Sequence, residues 1–246
     1  MTKLANKVAL VTGGSRGIGA GIVRRLAADG ADIAFTFSSN QQAADELVAE
    51  IEKTGRKALA IKADSANAEE VTAAVEKTVA VLGKLNILVN NAGIAIWGSP
   101  DELSLEDFDK MLNVNVRAQF VAIKAAVKHL TQGDRIINIG SINADRMPFA
   151  KGGVYSLTKA AVQGMTRGFS RDLGPLGITI NNVQPGPINT DLNPDSGEFA
   201  DYLKTLLSAG RYGTTDEVAG MVSYLASPEA AYINGSSLDI DGGFGN

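Results

Sequence analysis

The chain has 246 residues, 45% of them hydrophobic and 20% charged, a globular balance with enough apolar material for a full core. A formal charge of -4 provides no basic footprint, which argues against nucleic acid and anionic membranes as partners and leaves small molecules. With no cysteine and one histidine, His129, disulfides and thiolate metal sites are excluded and a histidine-based metal site is not expected.

In chain order, the strand-like KVALVT is followed by the helical IGAGIVRRLAADG, then ADIAFTF, QQAADELVAEIEKTG, KALAIKA, AEEVTAAVEKTVAVLG and NILVNNAG. This alternation of short β-branched runs with segments of helical period predicts βαβ units and a parallel sheet covered on both faces. The pattern continues with one long helix over about Ser104 to His129, the strand RIINIG, a helix over about Tyr155 to Leu173, the strand ITINNV, a helix after Thr214 and a last strand near SLDI. Capping-box spacing at Ser104 with Asp107 and at Thr214 with Glu217 marks two of the helix starts. The fold expected is α/β: one domain over residues 1–246, a doubly wound, Rossmann-type parallel sheet of about seven strands. The turn-rich stretch before the last helix and strand, about residues 186–214, reads as a lid. No apolar run is long enough to span a bilayer, and MTKLANKVAL has no signal-peptide pattern, so the expected location is cytoplasmic.

VTGGSRGIG joins the first strand to the first helix, where glycines let backbone approach a pyrophosphate and a helix N-terminus attracts its charge. The second strand ends at Phe37 and continues Ser38, Ser39, Asn40, with no acid to hold an unphosphorylated ribose. Arg16 in the glycine turn is placed to meet a 2′-phosphate, which favours NADP(H). Tyr155 and Lys159 lie four residues apart and so share a helical face, where an ammonium favours phenolate over phenol and prepares the pair for proton transfer. Ser141 follows a buried strand at the carboxyl edge, the ligand-binding side of an open α/β sheet, where its hydroxyl can hold a carbonyl. Trp97, Met147, Phe149 and the lid residues Phe199, Tyr202 and Leu206 offer an apolar mouth suited to a ketone. Arg146 is read as a surface arginine paired with Asp145 or another carboxylate, and His129 as a solvated helix-end residue. Val162, Met165 and Phe169, with the small Ala161, Gly164 and Gly168, read as a helix face for self-association.

TGGSRGIG, NNAG, the serine of IGSIN, YSLTK and PGPINT, in this order and at these separations, resemble the short-chain dehydrogenase/reductases over nearly the whole chain. The resemblance implies an NADP(H)-dependent oxidoreductase acting on CH–OH or C=O groups. It implies Tyr155 as general acid, Lys159 as the residue tuning it and binding ribose, Ser141 as carbonyl binder and Asn115 as partner in a proton relay. The turn Gly13, Ser15, Arg16, Gly17, Ile18, Gly19 would bind pyrophosphate, with Ser38 and Ser39 at the ribose and Asp64 and Ser65 at the adenine. Asn91, Ala92 and Gly93 would form the cofactor floor; Pro185 and Gly186 would lie beside it, with Ile188 and Thr190 at the carboxamide. Within the family the chain looks like the 3-oxoacyl-carrier-protein reductases, commonly tetrameric, but HLTQGDR lacks the basic display that an acidic carrier protein requires. The stretches GSINADRMPFA and PGPINTDLNP also resemble the biofilm-dispersal mediators of this family, described as binding cyclic di-GMP, which adds a ligand-sensing alternative.

Overall fold

The computed structural model describes residues 2–246. Seven parallel strands form one sheet in the order β3-β2-β1-β4-β5-β6-β7. They are β1 Val8–Val11, β2 Asp32–Phe37, β3 Ala58–Lys62, β4 Ile87–Asn90, β5 Arg135–Ile139, β6 Thr179–Pro185 and β7 Ser237–Ile240. The helices are α1 Gly17–Ala28, α2 Gln41–Glu52, α3 Ala68–Leu82, α4 Leu105–Leu112, α5 Ala118–Ala126, α6 Gly153–Leu173, α7 Glu198–Thr205 and α8 Thr215–Ala226. The doubly wound α/β fold expected from the alternation is therefore the observed one. Among the described residues, no helix is long and apolar enough to cross a membrane.

Residues alternate across the sheet because strand side chains do. Ala9, Val11, Ile33, Phe35, Ile87 and Val89 join one core with α1, α2 and α8. Leu10, Ala34, Leu88 and Ile136 join the other with α3, α5 and α6. A third cluster, Ile142, Ala200, Leu203, Leu207, Tyr212 and Phe244, seats α7 beside the carboxyl edge of the sheet.

The expected long helix from Ser104 is not continuous. Ser104 accepts the Asp107 N–H at 3.0 Å and starts α4, but residues 113–117 form a π-helical turn before α5, which ends at Ala126. The Asn115 carboxamide sits in this wider turn: its amide donates to the Ile94 carbonyl at 2.8 Å, and its oxygen accepts the Ile94 N–H at 2.8 Å. Single π-helical turns inside α-helices are frequently found at functional positions.

Three further expectations are corrected. Among the described residues, Arg146 pairs with no carboxylate side chain. It donates to the main-chain oxygens of Phe244 and Asn246, and its guanidinium lies 5.6 Å from the Phe244 ring centroid. Asp145 instead accepts from the Gln163 and Gln184 amides at 2.7 and 2.8 Å. His129 is half-buried rather than solvated, with its Nε2 3.0 Å from Glu76 Oε2 on α3. Finally, Val162 is buried within its own chain, and Met165 and Phe169 pack on the α3/α5 core. The outward stripe of α6 is Leu157, Ala160, Gly164 and Gly168.

Candidate active site

The glycine turn begins at Thr12, whose hydroxyl accepts the N–H groups of Asn91 and Ala92 at 3.0 and 3.1 Å. Asn91 returns its amide to the carbonyls of Thr12 and Gly13 at 2.9 and 3.0 Å. These bonds tie the ends of β1 and β4 into one surface. Gly13 has φ +64°, a left-handed conformation that glycine adopts without strain. At Gly19 a side chain would collide with the Gly13 carbonyl and stand 2.6 Å from Asn91 Nδ2. Gly19 is thus required by close backbone approach within the turn.

Above this surface lies a cleft of about 910 Å³. Of the residues singled out in the sequence, Arg16, Ile18, Asn91 and Gly93 line it on the turn and floor side. Ser141, Tyr155 and Lys159 line it opposite, and Pro185, Gly186, Ile188 and Thr190 line it after β6. Asn115 is fully buried beneath, with its Oδ1 3.4 Å and Lys159 Nζ 3.6 Å from where a Gly93 side chain would begin. Ser38, Ser39 and Asp64 lie outside the cleft, exposed beyond the ends of β2 and β3; Ser65 and Ala92 line a separate small cavity. Asn40, not either serine, caps α2 by accepting the Ala43 N–H at 3.0 Å, so both serine hydroxyls remain free of that duty.

Lys159 is buried and donates to the Ile139 carbonyl at 3.1 Å, with its ammonium 5.6 Å from the Tyr155 ring centroid. Thr158 lies between them in sequence, accepts the Asn115 amide at 3.0 Å and donates to the Tyr155 carbonyl at 2.7 Å. Ser141 caps a short helical turn by accepting the Asn143 N–H at 3.1 Å. Its hydroxyl hydrogen has no acceptor among the described residues. A phenol, a buried lysine and a free hydroxyl donor therefore converge on the cleft.

The aromatic mouth is partly as expected. Trp97 lies 5.4 Å from both Phe149 and Tyr155, and Phe149 lies 5.6 Å from Phe199, a chain of tilted and edge-on contacts from α6 to α7. Met147, Tyr202 and Leu206 do not line the cleft, whereas Phe244 does. Nothing in the local pattern of GGFGN marks Phe244 for this place. Two other contributors were also unmarked: Thr12, which precedes the glycines, and Asp191, whose carboxylate binds Arg16 at 3.1 Å. At the entrance Lys151 donates to Glu102 at 2.7 Å, and this bond, with the Ser99 N–H, holds the Glu102 carboxyl at about 2.

A family model described as Enoyl-(Acyl carrier protein) reductase matches residues 13–245. The cyclic-di-GMP-binding biofilm dispersal mediator protein of Escherichia coli K12 is 46% identical over 245 residues, covering 100% of both chains. A short-chain dehydrogenase/reductase from Serratia marcescens has 54% identity and a TM-score of 0.98 over 99% of this chain and 100% of its own. A short chain dehydrogenase from Burkholderia cenocepacia in complex with NADP has 50% identity and a TM-score of 0.98 over 99% of this chain and 100% of its own. With the fold, the glycine turn and the tyrosine–lysine helix, these likenesses make the chain a member of the short-chain dehydrogenase/reductase family.

Proposed function

We propose that the protein is an NADPH-dependent carbonyl reductase. The observation that carries this reading is the convergence of Tyr155, Lys159 and Ser141 on one cleft, with Asn115 and Gly93 directly below. NADPH suits the residues present: the glycine turn accepts close backbone approach, no acid follows β2, and Arg16 with Ser38 and Ser39 offers donors to a 2′-phosphate. The related Burkholderia protein binds NADP. Bound NADPH supplies the hydride.

The chain's own residues do the rest. Ser141 donates its free hydroxyl hydrogen to the substrate oxygen, and Tyr155 gives that oxygen a proton. Lys159, held by Ile139, fixes positive charge beside the phenol and reaches the cofactor floor at Gly93. Asn115 keeps the floor and α6 in register through Ile94 and Thr158, beside the lysine that a proton relay would serve. Trp97, Phe149 and Phe199 favour a ketone with apolar substituents, and the segment 186–214, carrying α7, acts as a lid. The protein works in the cytoplasm as a homotetramer, whose α6 stripe of Leu157, Ala160, Gly164 and Gly168 permits close helix approach.

The 46% identity to the Escherichia coli mediator supports a second reading, cyclic di-GMP binding on the same scaffold. A ketone panel with NADPH and NADH, run beside a cyclic di-GMP titration, separates the two. Reduction of an apolar ketone with NADPH is expected; saturable cyclic di-GMP binding without turnover of any ketone would replace the first reading with the second.

A further inference from the structure

Behind the cofactor floor is a second, much smaller cavity of about 10 Å³, lined by Thr12, Ser65, Asn90 and Gln119 together with the apolar Val71, Ala92, Val114 and Ala118. Two of its polar side chains, Gln119 and Asn90, are buried without the partners that burial demands. Gln119 is 2% exposed, and neither its amide nitrogen nor its oxygen has a protein partner. Asn90 is 1% exposed; its amide donates to Asn138 at 2.9 Å, but its oxygen accepts nothing. Thr12 accepts two floor N–H groups, yet its own hydroxyl hydrogen has no acceptor among the described residues.

A buried amide atom without a partner is destabilising, and native interiors rarely leave three such atoms, here Asn90 Oδ1 and both polar atoms of Gln119, around one space. The missing partner must donate to Asn90 Oδ1 and Gln119 Oε1 and accept from Thr12 or the Gln119 amide. A monatomic cation or anion cannot do both, and no titratable side chain lines the space. A water does both, needs two to four polar partners, and fits a volume of about 10 to 15 Å³.

We propose that this cavity binds one ordered water that braces the cofactor floor. Its three supports come from different elements: Thr12 beyond β1, Asn90 at the end of β4, and Gln119 in the first turn of α5, just past the π-helical turn that carries Asn115. The water thereby ties the glycine turn and the NNAG floor to the helix behind them. The inference stands apart from the carbonyl-reductase reading, since it concerns how the floor is held and not what is reduced above it.

The test uses the protein with NADPH bound. Its crystal structure, at a resolution that shows ordered waters, should contain a water within hydrogen-bonding distance of Gln119 and Asn90; a dry cavity overturns the proposal. The variant Gln119→Met keeps the side-chain shape and gives a result whose sign decides. If the water is bound, removing its glutamine partners strands Asn90 and Thr12, and Tm falls by about 2 to 8 °C. If the cavity is dry, the substitution removes two unsatisfied groups, and Tm stays level or rises, which also overturns it. The brace further requires weaker NADPH binding by Gln119→Met; an unchanged Kd overturns that role.

Discussion

Arg16 Nη1 lies 3.1 Å from Asp191 Oδ2, so the arginine of the glycine turn is bound to the segment that follows β6. Both side chains are more than half exposed, at 57% and 54%, and an exposed pair contributes only about 0 to 1 kcal/mol. A 2′-phosphate offers the guanidinium a stronger, doubly charged partner. Arg16→Ala should therefore narrow the preference for NADPH over NADH by about tenfold or more. Asp191→Asn, by removing the competitor, should tighten NADPH binding by up to about fivefold. Titration of both cofactors against the three proteins checks this, and NADH bound as well as NADPH by the unmodified protein would sink the assignment.

Tyr155 and Lys159 should separate in their effects. Tyr155→Phe keeps the ring against Trp97, so NADPH binding should stay near normal while ketone reduction falls by at least about 100-fold. Lys159→Ala removes the contact to the Ile139 carbonyl as well as the charge at the floor, and should impair both binding and turnover. The measurement is cofactor titration, melting and turnover on the same samples. A merely structural pair would lower Tm in both variants without selectively removing turnover.

Gly19→Ala tests the cradle. Its methyl would press on the Gly13 carbonyl and on Asn91, the residue that joins the turn to the floor. The expected outcome is at least about tenfold weaker NADPH binding in a protein that still folds. Binding unchanged by the substitution would mean the turn does not hold the cofactor closely.

The cap of α8 gives a pH dependence. Thr214 accepts the Glu217 N–H at 3.2 Å, while Glu217 accepts the Thr214 N–H at 2.8 Å and two Arg211 hydrogen bonds at 3.0 and 2.6 Å. Arg211, then the Thr214 N–H, hold the Glu217 carboxyl at about 2, below its ordinary 4.5. A lowered folded value means the stabilisation is fully present above pH 4.5 and is lost as pH falls toward 2. The Tm difference between the unmodified protein and Glu217→Gln should thus shrink in acid and, because the pair is exposed, in salt. Thr214→Ala should cost about 1 kcal/mol, or about 2 to 4 °C in Tm at neutral pH.

Assembly is checked by light scattering at micromolar concentration, where a tetramer is expected. Gly164 and Gly168 face open space in the single chain, so Gly164→Arg adds bulk without crowding its own fold. Smaller particles from that variant, with Tm measured alongside, would place the α6 stripe in the interface. A monomeric unmodified protein contradicts the proposal.

The sheet was legible because strand and helix periods alternate from Val8 to Ile240, and the cleft because its glycines, Tyr155 and Lys159 sit at fixed offsets from strand ends. What escaped depends on contacts between distant segments. The apolar pattern of 104–129 reads as one helix, since nothing in it marks the π-helical turn where Asn115 meets Ile94, 21 residues away. Arg146 has an acid beside it in sequence, yet that acid is occupied by Gln163 and Gln184, and the arginine finds Phe244 98 residues on. Val162, Met165 and Phe169 have the spacing of a helix face, which shows that a face exists but not which neighbour covers it.

The packing of α1 against α8 has a consequence for biosynthesis. Ile22, Val23 and Leu26 share a core with Val218, Val222 and Leu225, and Gly21 admits Thr215 so closely that an added Cβ would stand 2.9 Å from the threonine's. Asp29 accepts the Ser223 hydroxyl across 194 residues. At ribosomal rates of 5 to 20 residues per second, α1 therefore emerges roughly 10 to 40 s before its cover exists. During that interval its apolar stripe is open to chaperones, to proteases and to the same stripe on neighbouring nascent chains, and a chain interrupted before Thr215 keeps it open permanently. Yield in a cell should accordingly respond to translation speed and chaperone supply more than the stability of the finished fold would indicate.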